Sequence, residues 1–186
     1  MMDSALRVFT KLAVNNALAN LRLAQAVASL SQADFEAPRT GFFPSLKATL
    51  NHILIIDWFY IDAIRGGTLG PQAWADETPF GDAASLYVAQ RKSDLQLFAF
   101  CQGLAPHDLA APVHLHRQSR IQTERLDDVL SHLFQHQTHH RGQAHAMLSG
   151  TPTAPPQLDE FITADDAKFR SEELSAFGWD ETALGF

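Results

Sequence analysis

Residues 132–147 read HLFQHQTHHRGQAHAM, a helical pattern that carries five histidines in sixteen residues. The apolar line of this helix consists of Leu126, Val129, Leu130, Leu133, Ala144 and Met147. His136 and His140 lie on that line, because it recurs at spacings of three and four residues. The other histidines, His132, His139 and His145, are turned away by about 100° or more, so we expect them at the surface or at the edge of the helix.

A second segment, residues 45–64, reads SLKATLNHILIIDWFYIDAI and places another histidine on an inward line. That line is formed by Thr49, Ile56, Phe59, Tyr60 and Ala63. His52 lies between Thr49 and Ile56 with the same helical spacing. We therefore expect three histidines, from two separate helices, to face the interior.

Inward-facing imidazoles need partners, because an unpaired buried polar group costs about 1–3 kcal/mol. A single inward histidine such as His52 is more often a satisfied core residue than a ligand. An i, i+4 pair such as His136 and His140 also occurs on solvated helix faces. The combination favours one metal ion held by His52, His136 and His140 in the core of a helix bundle.

The histidine-rich segment also matches the spacing of the zinc-peptidase motif H-E-x-x-H. The residue after the first histidine of that motif must be a glutamate, which acts as the general base. Gln137 occupies this position here. Since an amide cannot take a proton from a metal-activated water, the sequence argues against a peptidase.

The bulk properties narrow the class of protein. The net charge of −7 over 186 residues argues against a nucleic-acid-binding surface, which requires a basic face. No apolar run approaches the roughly 18 residues of a membrane span, and the N-terminal segment is typical of an amphipathic helix rather than an export signal. Cys101 is the single cysteine, so an internal disulfide and a cysteine-based metal site are excluded. These features predict a cytoplasmic protein without membrane or nucleic-acid partners.

Helical periodicity dominates the chain. The predicted helices cover about residues 6–30, 45–65, 82–102, 124–149 and 164–177, with Ser45, Thr123 and Thr163 as N-caps and Asp166 as a capping-box partner. Residues 111–122 alternate between apolar and polar side chains, which favours a short two-stranded ribbon. We predict a single all-α domain over residues 1–186, a four-helix bundle with a short extra C-terminal helix.

The segments NHILIIDWFY and HQTHHRGQAHAMLSG together resemble the DinB-like family, also called the DinB/YfiT superfamily, of four-helix-bundle metalloproteins. The resemblance extends over roughly residues 3–165 and includes the later Asp159 in PPQLDEF. It implies a divalent metal ion, such as zinc, nickel or iron, held by His52, His136 and His140. It also implies a link to transferases and an isomerase that use low-molecular-weight thiols.

The R-G-Q part of the family signature corresponds to Arg141, Gly142 and Gln143. Gly142 suggests a close neighbour, because glycine costs about 1 kcal/mol in helix propensity. Gln143 could hold the ring of His140 or a bound water, or it could remain solvated. Arg141 is off the inward line and is predicted to be an exposed charge or an ion-pair partner, and Asp57 a surface charge or a carboxylate that orients a histidine.

A three-histidine centre favours two functions of different classes. The first is a metal-dependent enzyme of the thiol-dependent transferase type acting on a small molecule, with hydrolysis as a variant. The second is a non-catalytic metal-binding or stress-response protein. Tyr60 is more typical of a core aromatic than of a substrate contact. The aromatic residues Phe177, Trp179 and Phe186 near the C-terminus need cover, which favours a homodimer.

Overall fold

The computed structural model describes residues 4–181, which form six α-helices and one two-stranded ribbon. The helices are α1 (Ser4–Ala28), α2 (Gln32–Glu36), α3 (Leu46–Ile64), α4 (Ala83–Gln102), α5 (Leu126–Leu148) and α6 (Ala167–Phe177). The strands are β1 (Pro112–His116) and β2 (Ile121–Arg125), and short 3-10 turns cover Gly70–Trp74, Pro106–Ala110 and Ala164–Asp166. The prediction of an all-α four-helix bundle with a short ribbon and an extra C-terminal helix is confirmed.

The ends of the long helices follow the local capping chemistry. Ser45 accepts a hydrogen bond from the backbone N–H of Ala48, as predicted, and Asp82 does the same for Ser85 at the start of α4. Gly66, with φ of 80°, follows the end of α3 in a conformation that side chains disfavour. The four long helices pack as two close pairs, α1 with α4 and α3 with α5. The second pair carries the three histidines selected from the sequence.

The start of α5 differs from the prediction. Thr123 is not an N-cap but a residue of β2, opposite His114, whose Nδ1 lies 3.0 Å from the Thr123 hydroxyl oxygen. Antiparallel pairing continues to Arg125 opposite Pro112, and α5 begins only at Leu126. The reason is that ladder hydrogen bonds satisfy this backbone, so that capping by Thr123 is not needed.

The ribbon and the helices enclose a core that continues along the bundle. Val113 and Leu115 point from β1 into this core and pack with residues such as Phe59 and Leu130. Near the opposite end, Phe35 of α2, a helix that was not predicted, covers a second apolar cluster with Leu46. Among the described residues, no helix combines the length and the apolar character needed to cross a membrane.

The aromatic residues at the end of α6 and just after it are covered within the chain. The Phe177 and Trp179 rings stack with centroids 4.5 Å apart, and Trp179 lies 4.4 Å from the ring of Phe98 in α4. Phe186 lies outside the described residues. The homodimer stays a prediction, but Phe177 and Trp179 no longer argue for it.

Candidate metal centre

The three histidines predicted to face inward come together between α3 and α5. One ring nitrogen from each of His52, His136 and His140 lies within 4.8 Å of the other two. The Nε2 atoms of His52 and His136 are 3.1 Å apart. No carboxylate of the described residues joins this cluster, so its donor set is three imidazoles.

The surroundings of the three rings hold them in the neutral form that binds metal. Burial first, and then the neighbouring His140, lowers the pKa of His52 to about 4. Burial and the surrounding histidines lower the pKa of His136 to about 3, and burial also lowers the pKa of His140. Near neutral pH each ring is therefore uncharged, with a proton on one nitrogen and a lone pair free for a metal ion on the other.

Gln143 orients the ring of His140. Its Oε1 lies 2.8 Å from His140 Nδ1, and its Nε2 lies 3.1 Å from Nε2 of His139. An amide oxygen can only accept, so His140 carries its proton on Nδ1 and presents an unprotonated Nε2. The prediction that Gln143 holds the ring of His140 is confirmed.

Two aromatic rings next to the cluster were missed in the sequence. The ring of Phe43 lies 4.3 Å from that of His52 and 5.5 Å from that of His140. Phe42 packs edge-on against Phe43 but is 79% exposed. The available signal was their position just before the Ser45 cap, which brings them within two helical turns of His52.

Gln137 and Asp57 lie behind the histidines, inside the bundle. The Gln137 side chain is fully buried and its Nε2 donates to the Asp57 carboxylate, which also accepts from Gln90 Nε2 at 2.7 Å. Burial, and then the nearby Asp94, raise the pKa of Asp57 well above its usual value. Asp57 is thus neither a surface charge nor a partner of a histidine, so that prediction is wrong.

Arg141 is also buried and forms no ion pair with a described residue, so neither the exposed charge nor the ion-pair partner that was predicted is found. It donates to Asn16 Oδ1 at 2.6 Å and to Asn20 Oδ1 at 2.9 Å, both on α1. These two asparagines donate in turn to Oδ1 of Asp94 on α4. Burial raises the pKa of Asp94 to about 7, although hydrogen bonds and the charge of Arg141 oppose this shift.

These buried groups form one connected set across α1, α3, α4 and α5. We call it the polar core network, and it consists of Asn16, Asn20, Asp57, Gln90, Asp94, Gln137 and Arg141. The network lies on a face of α5 that is turned by about 100° from the histidines, since Gln137 and Arg141 directly follow His136 and His140. It fixes the ligand-bearing helices against their neighbours.

The remaining predictions near the cluster have mixed outcomes. Gly142 is exposed, and a Cβ there would meet nothing within 4 Å, so the expected close neighbour is absent. His132 and His139 are exposed, as predicted, whereas His145 is half-buried with its Nε2 2.9 Å from the Pro156 carbonyl oxygen. Cys101 is buried, and burial raises the pKa of its thiol to about 12, so it is not a ready nucleophile.

The fold and the cluster define a DinB-like helical bundle with a group of histidines that could hold a metal ion. A crystal structure of a DinB-like protein from Bacillus cereus ATCC 10987 superposes with a TM-score of 0.58 at 16% identity, covering 75% of this chain and 89% of that one. No curated protein matches the chain. The model of the DinB family matches residues 1–174, and the chain belongs to this family.

Proposed function

We propose that the chain binds one divalent metal ion through His52, His136 and His140 and uses it to transfer a thiol to or from a small molecule. The observation that carries this proposal is the convergence of three ring nitrogens within 4.8 Å from two helices. Their lowered pKa values leave them free to act as ligands near neutral pH.

The donor set determines the chemistry that a metal would supply here. Three neutral imidazoles leave a divalent ion its full positive charge and an open coordination position, which favours an anionic ligand such as a thiolate. The described helices offer no reactive thiol of their own, because Cys101 is buried. A small-molecule thiol from a reducing compartment, with the protein in the cytoplasm, fits this arrangement.

The chain's own residues orient and shield the centre. Gln143 fixes the tautomer of His140, and Phe43 covers one side of the His52 ring and limits the access of water. A hydrolytic variant lacks support, because the amide of Gln137 points to Asp57 rather than to the centre and has no basicity.

The alternative is a protein whose metal ion only supports the fold. The polar core network argues against this role, because it already joins α1, α3, α4 and α5 without any contribution from the three histidines. The bundle is therefore built to hold its helices in place whether or not metal is bound.

Metal content tests the proposal directly. Protein purified without a histidine tag should contain about one metal ion per chain by elemental analysis, and His136→Ala should contain almost none. His132→Ala is the matched control, because this exposed histidine is one turn away on the same helix. Equal metal content in wild type and His136→Ala would contradict the proposed centre.

Thiol chemistry is tested separately on the metal-loaded protein. We expect thiol consumption with an electrophile panel to exceed the uncatalysed rate in wild type and to fall to that rate in His136→Ala. If metal raises the melting temperature but no thiol or electrophile is consumed, the non-catalytic alternative replaces the enzyme.

A further inference from the structure

A cavity of about 260 Å³ lies between α3, α5 and the ribbon, next to the three-histidine cluster. A series of ring contacts joins it to the cluster: the His136 and His132 centroids are 6.3 Å apart, and the His132 and Tyr60 centroids 5.3 Å. His132 and Tyr60 both line the cavity. Its volume is just below the roughly 300–1,000 Å³ of typical ligand pockets, so it suits a small molecule of amino-acid size.

Tyr60 gives this cavity an unused hydrogen-bonding group. The residue as a whole is only 7% exposed, but its hydroxyl is not among the buried atoms, and it forms no hydrogen bond with any residue between 4 and 181. An accessible hydroxyl at the wall of a cavity can both donate to and accept from a polar ligand.

Charges of both signs face the same cavity. Arg117 stands over the ring of Phe59 at 4.7 Å and donates from Nε to Gln122 at 3.3 Å, which leaves its terminal nitrogens without a hydrogen bond among the described residues. Glu124 accepts from Gln122 at one oxygen. The carboxylate of Asp128 accepts no hydrogen bond from a described residue, although it lines the cavity.

The cavity also has apolar lining residues beside these charged groups. They are Leu115 and Val129, both buried. A guanidinium with free donors matches a carboxylate, and a free carboxylate matches an ammonium group. A ligand with both groups on one carbon would satisfy charged groups of both signs and still leave a substituent to lie against the apolar lining residues.

We propose that this cavity binds a small zwitterion of the α-amino-acid type, with its carboxylate on Arg117, its ammonium group on Asp128 and Glu124, and a hydrogen bond to Tyr60. The remaining substituent extends past His132 toward the centre. The role of this molecule as a substrate depends on the proposed metal-dependent function. Binding itself depends only on the cavity.

Calorimetric titration of metal-free protein tests the cavity with defined probes. L-Leucine, L-methionine and L-glutamine are titrated singly, together with 3-methylbutan-1-amine and 4-methylpentanoate, which lack the carboxylate and the ammonium group of leucine. At least one amino acid should bind, and leucine should bind about tenfold more tightly than either analogue. Equal binding of an analogue, or no binding of any of the three amino acids, would overturn the proposal.

Variants assign the charges. Asp128→Asn and Arg117→Gln should each weaken binding of the best amino acid about tenfold, whereas Asp165→Asn, at an exposed acid elsewhere, should leave it unchanged. His52→Ala should bind the amino acid as wild type does, even though it cannot complete the metal cluster. If His52→Ala still binds the amino acid and wild type contains no metal, the proposed metal function is contradicted and the cavity proposal is not. If Asp128→Asn binds the amino acid with the affinity of wild type, the cavity proposal is contradicted and the metal function is not.

Discussion

Two groups of polar residues lie on different faces of α5, and they differ in what their polar atoms contact. In the polar core network, Asp57, Asp94 and Arg141 each have hydrogen-bond partners on neighbouring helices, although Asp94 Oδ2 and Gln137 Oε1 are buried without a partner among the described residues. In the three-histidine cluster, the Nε2 atoms of His52 and His136 face each other, and His136 Nδ1 is buried without a partner. Polar side chains that bond to one another across four helices indicate a structural role, whereas ring nitrogens that converge from two helices indicate a ligand-binding site.

The largest expected effect follows from removing the cation of the network. Arg141→Met leaves the buried Oδ1 atoms of Asn16 and Asn20 without their donor, which should lower the free energy of unfolding by about 2–6 kcal/mol, at about 1–3 kcal/mol for each buried acceptor. The melting temperature should fall by roughly 10 °C, since each kcal/mol corresponds to about 2–4 °C in a chain of this size. Thermal unfolding followed by circular dichroism would measure the change.

The control for that variant is Arg125→Met, which removes an exposed arginine paired with Asp127. Its melting temperature should stay close to that of wild type, because exposed ion pairs add little stability. Equal losses in the two variants would contradict the structural role assigned to the network.

A smaller effect is expected from the titration of Asp94. Folding raises its pKa from 3.8 to about 7, so its contribution to stability is complete below pH 3.8 and is lost as the pH rises through about 7. The free energy of unfolding of wild type relative to Asp94→Asn should therefore increase as the pH falls from about 7 to about 4, by at most about 1.4 kcal/mol per pH unit.

Urea unfolding of chelator-treated protein across this pH range measures the difference, with Asp76→Asn as an exposed control. A difference that is constant, or that grows with rising pH, would show that Asp94 is not the group that titrates.

The histidine cluster should change the free energy of unfolding with pH in the opposite direction. Because folding lowers the pKa of His136 to about 3, its contribution is present above its ordinary pKa of 6.5 and is lost as the pH falls.

The smallest expected effect concerns the residue that orients His140. Gln143→Ala removes the acceptor at Nδ1, which should weaken metal binding about tenfold by releasing the ring and its tautomer. The stability of the metal-free protein should hardly change, because the network does not include Gln143. Competition with a chromophoric chelator would report the affinity, and Gln135→Ala, exposed on the same helix, should bind metal as wild type does.

The histidine cluster could be predicted because each helix has one clear apolar line and the three histidines lie on it. The polar core network could not be predicted in the same way. Predicting burial from the apolar line assumes that a helix has one buried face. However, α5 packs against α3 on one face and against α1 on another, so Arg141 is off the apolar line and still buried. A polar residue on a second buried face looks like a surface residue in the sequence.

Local chemistry was predictable where one interaction dominates, and not where two compete. Ser45 caps a helix as its side chain indicates, because its backbone takes part in no competing strand pairing. The Thr123 side chain could cap a helix in the same way, but Thr123 lies in β2, where its backbone pairs with β1 instead. The rings of Phe42 and Phe43 were missed because a residue outside a helix has no periodicity from which its position can be inferred.

The burial of Gln137 also constrains protein engineering. Replacing it by glutamate would restore the letters of a zinc-peptidase motif, yet the new carboxylate would face Asp57 in the interior instead of the histidines. Two acids in contact inside the bundle would repel each other or share a proton. A designer who wants hydrolysis from this scaffold must therefore introduce the base from another helix, because α5 presents that position to the wrong side.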